Sequence, residues 1–125
     1  MTVISTSGAP IPAGHYSQGI VHNGVIYVAG QLAIDPDNPE SPRGDADAQT
    51  RQALHNVASI LRAAGSNLSH VLQMTVYVTD MSLWHDVNAA YADIMGEHRP
   101  SRAIVPIGPL KSDFVIEIQA IAAIP

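Results

Sequence analysis

The 125-residue sequence contains no cysteine and few charged or aromatic residues. The absence of cysteine excludes disulfides, thiolate nucleophiles and zinc or iron–sulfur sites with cysteine ligands. It is also typical of the reducing cytoplasm, where we expect this chain to function. The length predicts one domain, residues 1–125, whose core needs no covalent cross-links.

Charged residues make up 14% of the sequence, against about 25% in an average soluble domain. So few charges cannot cover the surface of a small monomer, so we expect part of that surface to be buried in a homo-oligomer. The net charge is −5 and no basic run is present, which argues against a nucleic-acid partner. No apolar stretch approaches the roughly 20 residues of a membrane span, and no secretory signal is evident, so we expect no membrane partner.

Turn residues and hydrophobic periodicity predict the order β-β-α-β-α-β-β. The chain is predicted to begin with an irregular arm (1–15), a hairpin (16–31) that turns at Asn23-Gly24, and a loop (Asp35–Gly44). A first helix, capped by Asp45 or Asp47 and ended by Gly65, is followed by a strand (Val71–Thr79). A second helix, capped by Ser82 and ending near Gly96, precedes strands over Arg102–Ile107 and Phe114–Ile124. Two strand–helix–strand crossovers place both helices on one face of a mixed sheet, an α/β two-layer sandwich. Nothing in the chain covers the other face, which is half apolar, so we expect it to contact a second subunit.

Several polar and aromatic residues are predicted to have structural rather than functional roles. Asn56 and Ser59 fall on the polar faces of the first helix, whereas Trp84 and Tyr91 fall on the apolar stripe of the second and predict core positions. The six histidines share no metal-binding spacing, so we expect no metal site.

Two charges lie in otherwise apolar strands, Arg102 in RAIVPIG and Glu117 in VIEIQAIAAI. A charge in such a strand normally has a partner, because burying it alone is costly. Both could face solvent or pair with each other. Alternatively, the arginine fork could bind a substrate carboxylate while the glutamate holds and activates a water.

The sequence resembles the RidA/YjgF family over nearly its whole length. The matching segments are Gly14-His15-Tyr16-Ser17-Gln18-Gly19, Ala29-Gly30-Gln31, Gln49 to Val57, Ala63-Ala64-Gly65, Thr75 to Met81, Val87-Asn88 with Tyr91, Pro100 with Arg102, and Ile116 to Ala122. The resemblance implies a chorismate-mutase-like fold and a homotrimer whose sheets face inward and whose clefts lie between subunits. It also implies hydrolytic deamination of 2-imino or enamine acids to 2-keto acids, with no cofactor.

By the same resemblance, Arg102 would bind the substrate carboxylate and Glu117 would position or activate the water. Tyr16, Gly30, Asn88 and Ile104 would line the pocket, although Tyr16 could equally fill the subunit interface and Asn88 could equally lie at the trimer edge. Ile104 stands where many family deaminases have cysteine, Ala29 where they have serine, and Lys111 where a proline is usual. The first two changes make the pocket more apolar and favour a bulkier or more apolar substrate.

Three other functions stay open from the sequence. A non-catalytic trimer that senses a small carboxylate would need Arg102 but not Glu117. An aminomuconate-type deaminase belongs to a related branch of the family. A ribonuclease activity is disfavoured by the net charge of −5.

Overall fold

The chain forms one six-stranded sheet and two helices, and the computed structural model describes all residues from 1 to 125. The elements are β1 (Thr2–Ile4), β2 (Gly19–His22), β3 (Val25–Gln31), α1 (Ala46–Ala63), β4 (Val71–Val78), α2 (Trp84–Met95), β5 (Ser101–Pro106) and β6 (Ile116–Ala123). Neither helix has the length and apolar character needed to cross a membrane.

The strands lie in the order β1-β2-β3-β6-β4-β5. All neighbouring pairs are antiparallel except β4 and β5, which run parallel on either side of the α2 crossover. Buried side chains alternate along β4 and β6, and they join buried side chains of both α1 and α2 in one core. Both helices therefore pack on the same face of the sheet. The predicted α/β two-layer sandwich with a mixed sheet is therefore confirmed.

Helix α1 supplies the largest share of the core from its apolar face. Leu54, Val57, Ile60 and Leu61 are fully buried, and each contributes roughly 1.5–3 kcal/mol of hydrophobic stabilisation. The Asp45 carboxylate accepts the Ala48 amide at 3.0 Å and caps the helix.

The hairpin and the end of α1 follow the predicted turn chemistry. Asn23 and Gly24 both have positive φ between β2 and β3, and Gly65 follows α1 with φ +84°. These conformations suit glycine and asparagine far better than branched residues.

The structure corrects the expectation for Asn56. Its side chain is fully buried rather than placed on a polar surface, and its Nδ2 donates to the carbonyls of Leu32 and Ile34 at 3.1 and 2.9 Å. A buried amide needs such partners. Asn56 therefore fastens the segment after β3 to α1.

The amino-terminal arm is also more ordered than expected. Residues 2–4 form the edge strand β1, which pairs with β2 so that Thr2 faces Val21 and Ile4 faces Gly19. The Gln18 side chain holds the rest of the arm, because its Oε1 accepts the Thr6 amide at 2.7 Å and its Nε2 donates to Pro10. A three-residue strand lies below what periodicity can reveal.

The start of the second helix was predicted wrongly at Ser82. A single 3-10 turn over Met81–Leu83 precedes α2, and the side chain that caps this turn is Asp80, which accepts the Ser82 amide at 2.8 Å. That hydrogen bond lowers the pKa of Asp80. Helix α2 itself begins at Trp84 without a side-chain cap.

The remaining expectations differ in detail. Strand β5 ends one residue earlier than predicted and β6 is shorter at both ends. Trp84 is half-buried, whereas Tyr91 is buried as predicted.

The second face of the sheet is covered by neither helix. Residues paired across the strands share a face, and one such row runs from Val3 through Ile20, Tyr27 and Ile121 to Gln73. Val3 is 58% exposed and Tyr27 48% exposed. This uncovered face mixes apolar and polar side chains.

Candidate active site

Two cavities on the chain contain five of the six candidate residues. The Glu117 cavity, about 360 Å³, is lined by Tyr16, Gly30 and Glu117, with Lys111 among the other residues at its wall. The Arg102 cavity, about 500 Å³, is lined by Asn88 and Arg102, with Tyr91, Met95, His98 and Arg99 among the others. Ile104 lines neither.

Glu117 reaches its cavity because of the alternation along β6. Its neighbours Ile116 and Ile118 point into the core, so Glu117 lies on the face away from the helices, beside Tyr77 of β4. The carboxylate is half-buried and takes part in no ion pair, since both ion pairs of the chain belong to Arg51. It is therefore free to engage a ligand or a water.

Gly30 makes room for that carboxylate. Strands β3 and β6 shift register between Val28 and Gln31, which leaves Gly30 close under the Glu117 side chain. A Cβ at position 30 would lie 2.7 Å from Glu117 Oε1 and 3.0 Å from its Cδ. Such a distance is shorter than real Cβ contacts, so any side chain at position 30 would displace the glutamate.

Tyr16 lies on the rim of the same cavity, in the arm that Gln18 anchors, and its side chain is 52% exposed. Ala29 also lines the wall of this cavity. The cavity therefore combines one carboxylate and the Lys111 side chain with a mostly apolar wall.

Arg102 lies on the opposite face of the sheet. It pairs with the buried Met74, so its side chain runs on the helix side, under α2. There its Nη1 donates to Asn88 Oδ1 at 2.9 Å, and its guanidinium carbon lies 4.7 Å from the centre of the Tyr91 ring. Both partners are neutral, so this half-buried cation keeps its positive charge uncompensated within the chain.

Tyr91 is the functional-site residue that sequence reasoning placed only in the core. Its ring lies over Arg102, and its hydroxyl is buried without a hydrogen-bond partner. Burial raises the pKa of Tyr91, and the charge of Arg102 opposes that rise. The spacing along the sequence could have revealed the contact of Tyr91 with Arg102. Asn88 and Tyr91 are three residues apart on one helix, so their side chains face the same strand.

The structure separates the predicted residues into two groups within one chain. Tyr16, Gly30 and Glu117 line one cavity, and Asn88 and Arg102 line the other. Ile104 follows Arg102 by two residues on the same side of β5 and packs against the core. Arg102 and Glu117 therefore do not pair with each other in the chain. No three His, Asp or Glu side chains lie together as metal ligands would.

Comparison with known proteins identifies the family. The model of the family described as endoribonuclease L-PSP, which holds the YjgF and RidA proteins, matches residues 6–124. The chain belongs to the YjgF/RidA family.

YjgF/RidA relatives match the chain over almost its full length. A RutC family protein of Pyrococcus horikoshii is 45% identical over 120 residues, which are 96% of this chain and 95% of that protein. The 2-iminobutanoate/2-iminopropanoate deaminase of Escherichia coli K12 is 38% identical over 122 residues, 95% of this chain and 94% of the relative.

Solved structures of YjgF/RidA proteins share the fold. RidA from an Antarctic Psychrobacter bacterium has a TM-score of 0.93 at 33% identity, covering 98% of this chain and 99% of that one. E. coli TdcF with bound serine also has a TM-score of 0.93 at 33% identity, covering 98% of both chains. The YjgF/RidA membership fixes the fold, and the relatives' different names leave the individual activity to be argued from the site.

Proposed function

We propose that this protein is a cofactor-independent hydrolytic deaminase of 2-imino and enamine acids. It releases ammonia and a 2-keto acid in a cleft between copies of the chain. The observation that carries the proposal is the half-buried Arg102 guanidinium, whose partners within the chain are a neutral amide and an aromatic ring. The similarity to the E. coli deaminase supports the same reaction class.

Arg102 supplies the binding energy and the orientation. A guanidinium presents parallel N–H donors that match a carboxylate, and such charge-assisted pairs are about twice as strong as neutral hydrogen bonds. Asn88 engages Nη1 and the Tyr91 ring supports the planar group. The fork is therefore held in one orientation before the substrate arrives, which lowers the entropic cost of binding.

Glu117 supplies proton transfer. As a water oxygen bonds to the imine carbon, the Glu117 carboxylate accepts a proton from that water. The C=N double bond becomes a single bond as that proton passes to the nitrogen, which gives a carbinolamine. Glu117 then takes the proton of the carbinolamine hydroxyl and passes it to the nitrogen, the C–N bond breaks as the C=O bond forms, and ammonia leaves with the electron pair. Since imines already hydrolyse in water, holding the carboxylate and the water in place is sufficient help. Tyr16 and Gly30 line the wall beside Glu117 and would lie next to the reacting carbon.

The separation of Arg102 from Glu117 supports a site made by two copies of the chain. In a closed ring of three, each chain would give its Arg102 cavity to one cleft and its Glu117 cavity to the next. The uncovered sheet face and the 14% charge content favour such an assembly. We therefore propose a cytoplasmic homotrimer that acts on small carboxylic acids without a nucleic-acid or membrane partner.

A carboxylate-binding module without catalysis is the second candidate. It is favoured by one observation: the Arg102 cavity contains the whole anion-binding arrangement without Glu117. It predicts saturable binding of a 2-keto acid with no acceleration of imine hydrolysis.

A coupled assay separates the two. Threonine dehydratase generates the imine in amine-free buffer, and 2-oxobutanoate release is followed with and without the protein. We expect acceleration by the wild type and a loss of about 100-fold for Arg102→Ala, because carboxylate orientation is lost. Arg62→Gln, an exposed arginine outside both cavities, is the matched control. An Arg102→Ala protein as fast as the wild type would refute the proposal.

A further inference from the structure

The Arg102 cavity contains a second arginine that the proposed reaction does not use. Arg99 and His98 line it together with Arg102, and no aspartate or glutamate is part of its wall. The chain as a whole has a net charge of −5. Two of its five arginines therefore face one cavity in an otherwise acidic protein.

The other three arginines are engaged elsewhere. Arg51 binds Asp47 and Asp93, Arg43 lies over the Phe114 ring, and Arg62 donates to Ser59. Arg99 forms no ion pair and no side-chain hydrogen bond, although Glu97 lies two residues away in the sequence. Its charge, like that of Arg102, stays uncompensated and accessible at the cavity.

His98 adds to this arrangement. Its Nε2 lies 2.7 Å from the carbonyl oxygen of Val71 and therefore donates to it. The half-buried ring is fixed by that bond, and Nδ1 of this neutral imidazole is an acceptor rather than a donor. The cavity wall thus offers two cations for an anionic ligand, with the fixed His98 ring beside them.

We infer that the cleft has a second anion subsite, formed by Arg99, and that the preferred ligands carry two acidic groups. This inference rests on the proposed function, because it assigns Arg102 to the carboxylate next to the reacting carbon. The preferred substrates would be imines of amino dicarboxylic acids, and their products 2-keto dicarboxylic acids, in place of the more apolar substrates expected from Ala29 and Ile104.

The spacing of the two arginines fits such ligands. Arg99 lies in the irregular segment between α2 and β5, three residues before Arg102, and both arginines line the same cavity. Two side chains of this length, both facing one cavity of about 500 Å³, can hold the ends of a dicarboxylate with a few carbons between its acidic groups. A ligand with one carboxylate would use Arg102 alone.

A purely structural role for Arg99 makes a different prediction. Helix α2 ends at Met95 with Gly96 as its C-cap, so Arg99 lies just beyond the carboxyl end of the helix. A cation at that place is stabilised by the helix dipole. If that were its only role, removing Arg99 would lower the melting temperature slightly and leave ligand choice unchanged.

Calorimetric titration at low salt tests the inference without requiring turnover. The probes are 2-oxobutanoate, with one carboxylate, and 2-oxoglutarate, with two. We expect the wild type to bind 2-oxoglutarate about 10-fold more tightly. Arg99→Gln should abolish that difference while 2-oxobutanoate affinity changes less than about 2-fold, and Arg62→Gln, which removes the same charge elsewhere, should preserve it.

Two results would overturn the inference: equal affinity of the wild type for both acids, or equal weakening of both acids by Arg99→Gln. Failure of the deaminase proposal is a separate outcome. In that case the wild type accelerates no imine hydrolysis, yet the Arg99-dependent preference for 2-oxoglutarate persists. Conversely, turnover with no such preference would leave the deaminase standing and remove the second subsite.

Discussion

Replacing Gly30 with alanine should disable the Glu117 carboxylate while leaving the fold in place. The added Cβ would meet Oε1 at 2.7 Å, so the carboxylate must retreat to at least 3.4 Å for ordinary contact, a displacement of about 0.7 Å. Gly30 does not have positive φ, so alanine adds no backbone strain. The change therefore acts through the glutamate.

The expected effects on rate and stability differ sharply. Misplacing a catalytic group by about 1 Å can cost about 100-fold, so we expect imine turnover to fall by about 10- to 100-fold. Glu117 is half-buried beside an open cavity and can swing aside, so the free energy of unfolding should fall by no more than about 1 kcal/mol, or about 4 °C in melting temperature.

The assay is the coupled threonine dehydratase reaction, run beside a thermal melt. A double-mutant cycle provides the control, because the clash disappears when Glu117 is absent. In a Glu117→Ala background, Gly30→Ala should therefore cost little further activity. The reasoning is refuted if Gly30→Ala keeps the wild-type rate, or if it costs the same factor with and without Glu117.

Substitutions at three further positions test other parts of the site and fold. Tyr91→Phe keeps the ring beside Arg102 and removes a hydroxyl that has no hydrogen-bond partner, so activity should stay within about 3-fold of the wild type. Tyr91→Leu removes the ring and should raise KM about 10-fold with a smaller change in kcat. Equal KM values for the two variants would contradict the positioning role of the ring. Asn56→Ala removes two donors to buried carbonyls and should lower the free energy of unfolding in urea by about 3 kcal/mol; a loss below about 1 kcal/mol would show that the amide does not fasten the segment. The hydrogen bond from Arg51 lowers the pKa of Asp47 from its ordinary value of 3.8. The interaction therefore stabilises the folded protein above pH 3.8, and this stabilisation is lost as the pH falls through the lower pKa that Asp47 has in the folded state. Asp47→Asn should therefore lower the melting temperature at pH 7 but not in strong acid, and a difference that persists in acid would contradict this assignment.

The architecture can be predicted from the sequence because its signals are local. Asn23-Gly24, the Asp45 cap and Gly65 each specify their own backbone geometry, and the alternation along β6 determines which residues face the helices. Residues 2–4 gave no such signal, since so short a strand is defined by its partner β2 rather than by its own pattern. The helical pattern places Asn56 only on a polar face and cannot predict its burial, because the carbonyls that it binds lie 22 and 24 residues away.

The site was predicted as a set of residues but not as an arrangement. Arg102 and Glu117 stand out in the sequence as charges in apolar strands. Their placement on opposite faces of the sheet depends on the pairing of Arg102 with Met74 and of Glu117 with Tyr77, which the sequence of one strand alone does not reveal. The stack of Arg102 on Tyr91 was missed because an aromatic residue on an apolar stripe is usually core.

Complementation between two inactive variants shows whether each cleft is shared by two chains. Arg102→Ala and Glu117→Ala chains carrying different tags are co-expressed, and oligomers containing both are purified. If each cleft takes Arg102 from one chain and Glu117 from its neighbour, a mixed trimer has one intact cleft and should show about one-third of the wild-type activity. Mixed oligomers no more active than either variant alone would contradict the account.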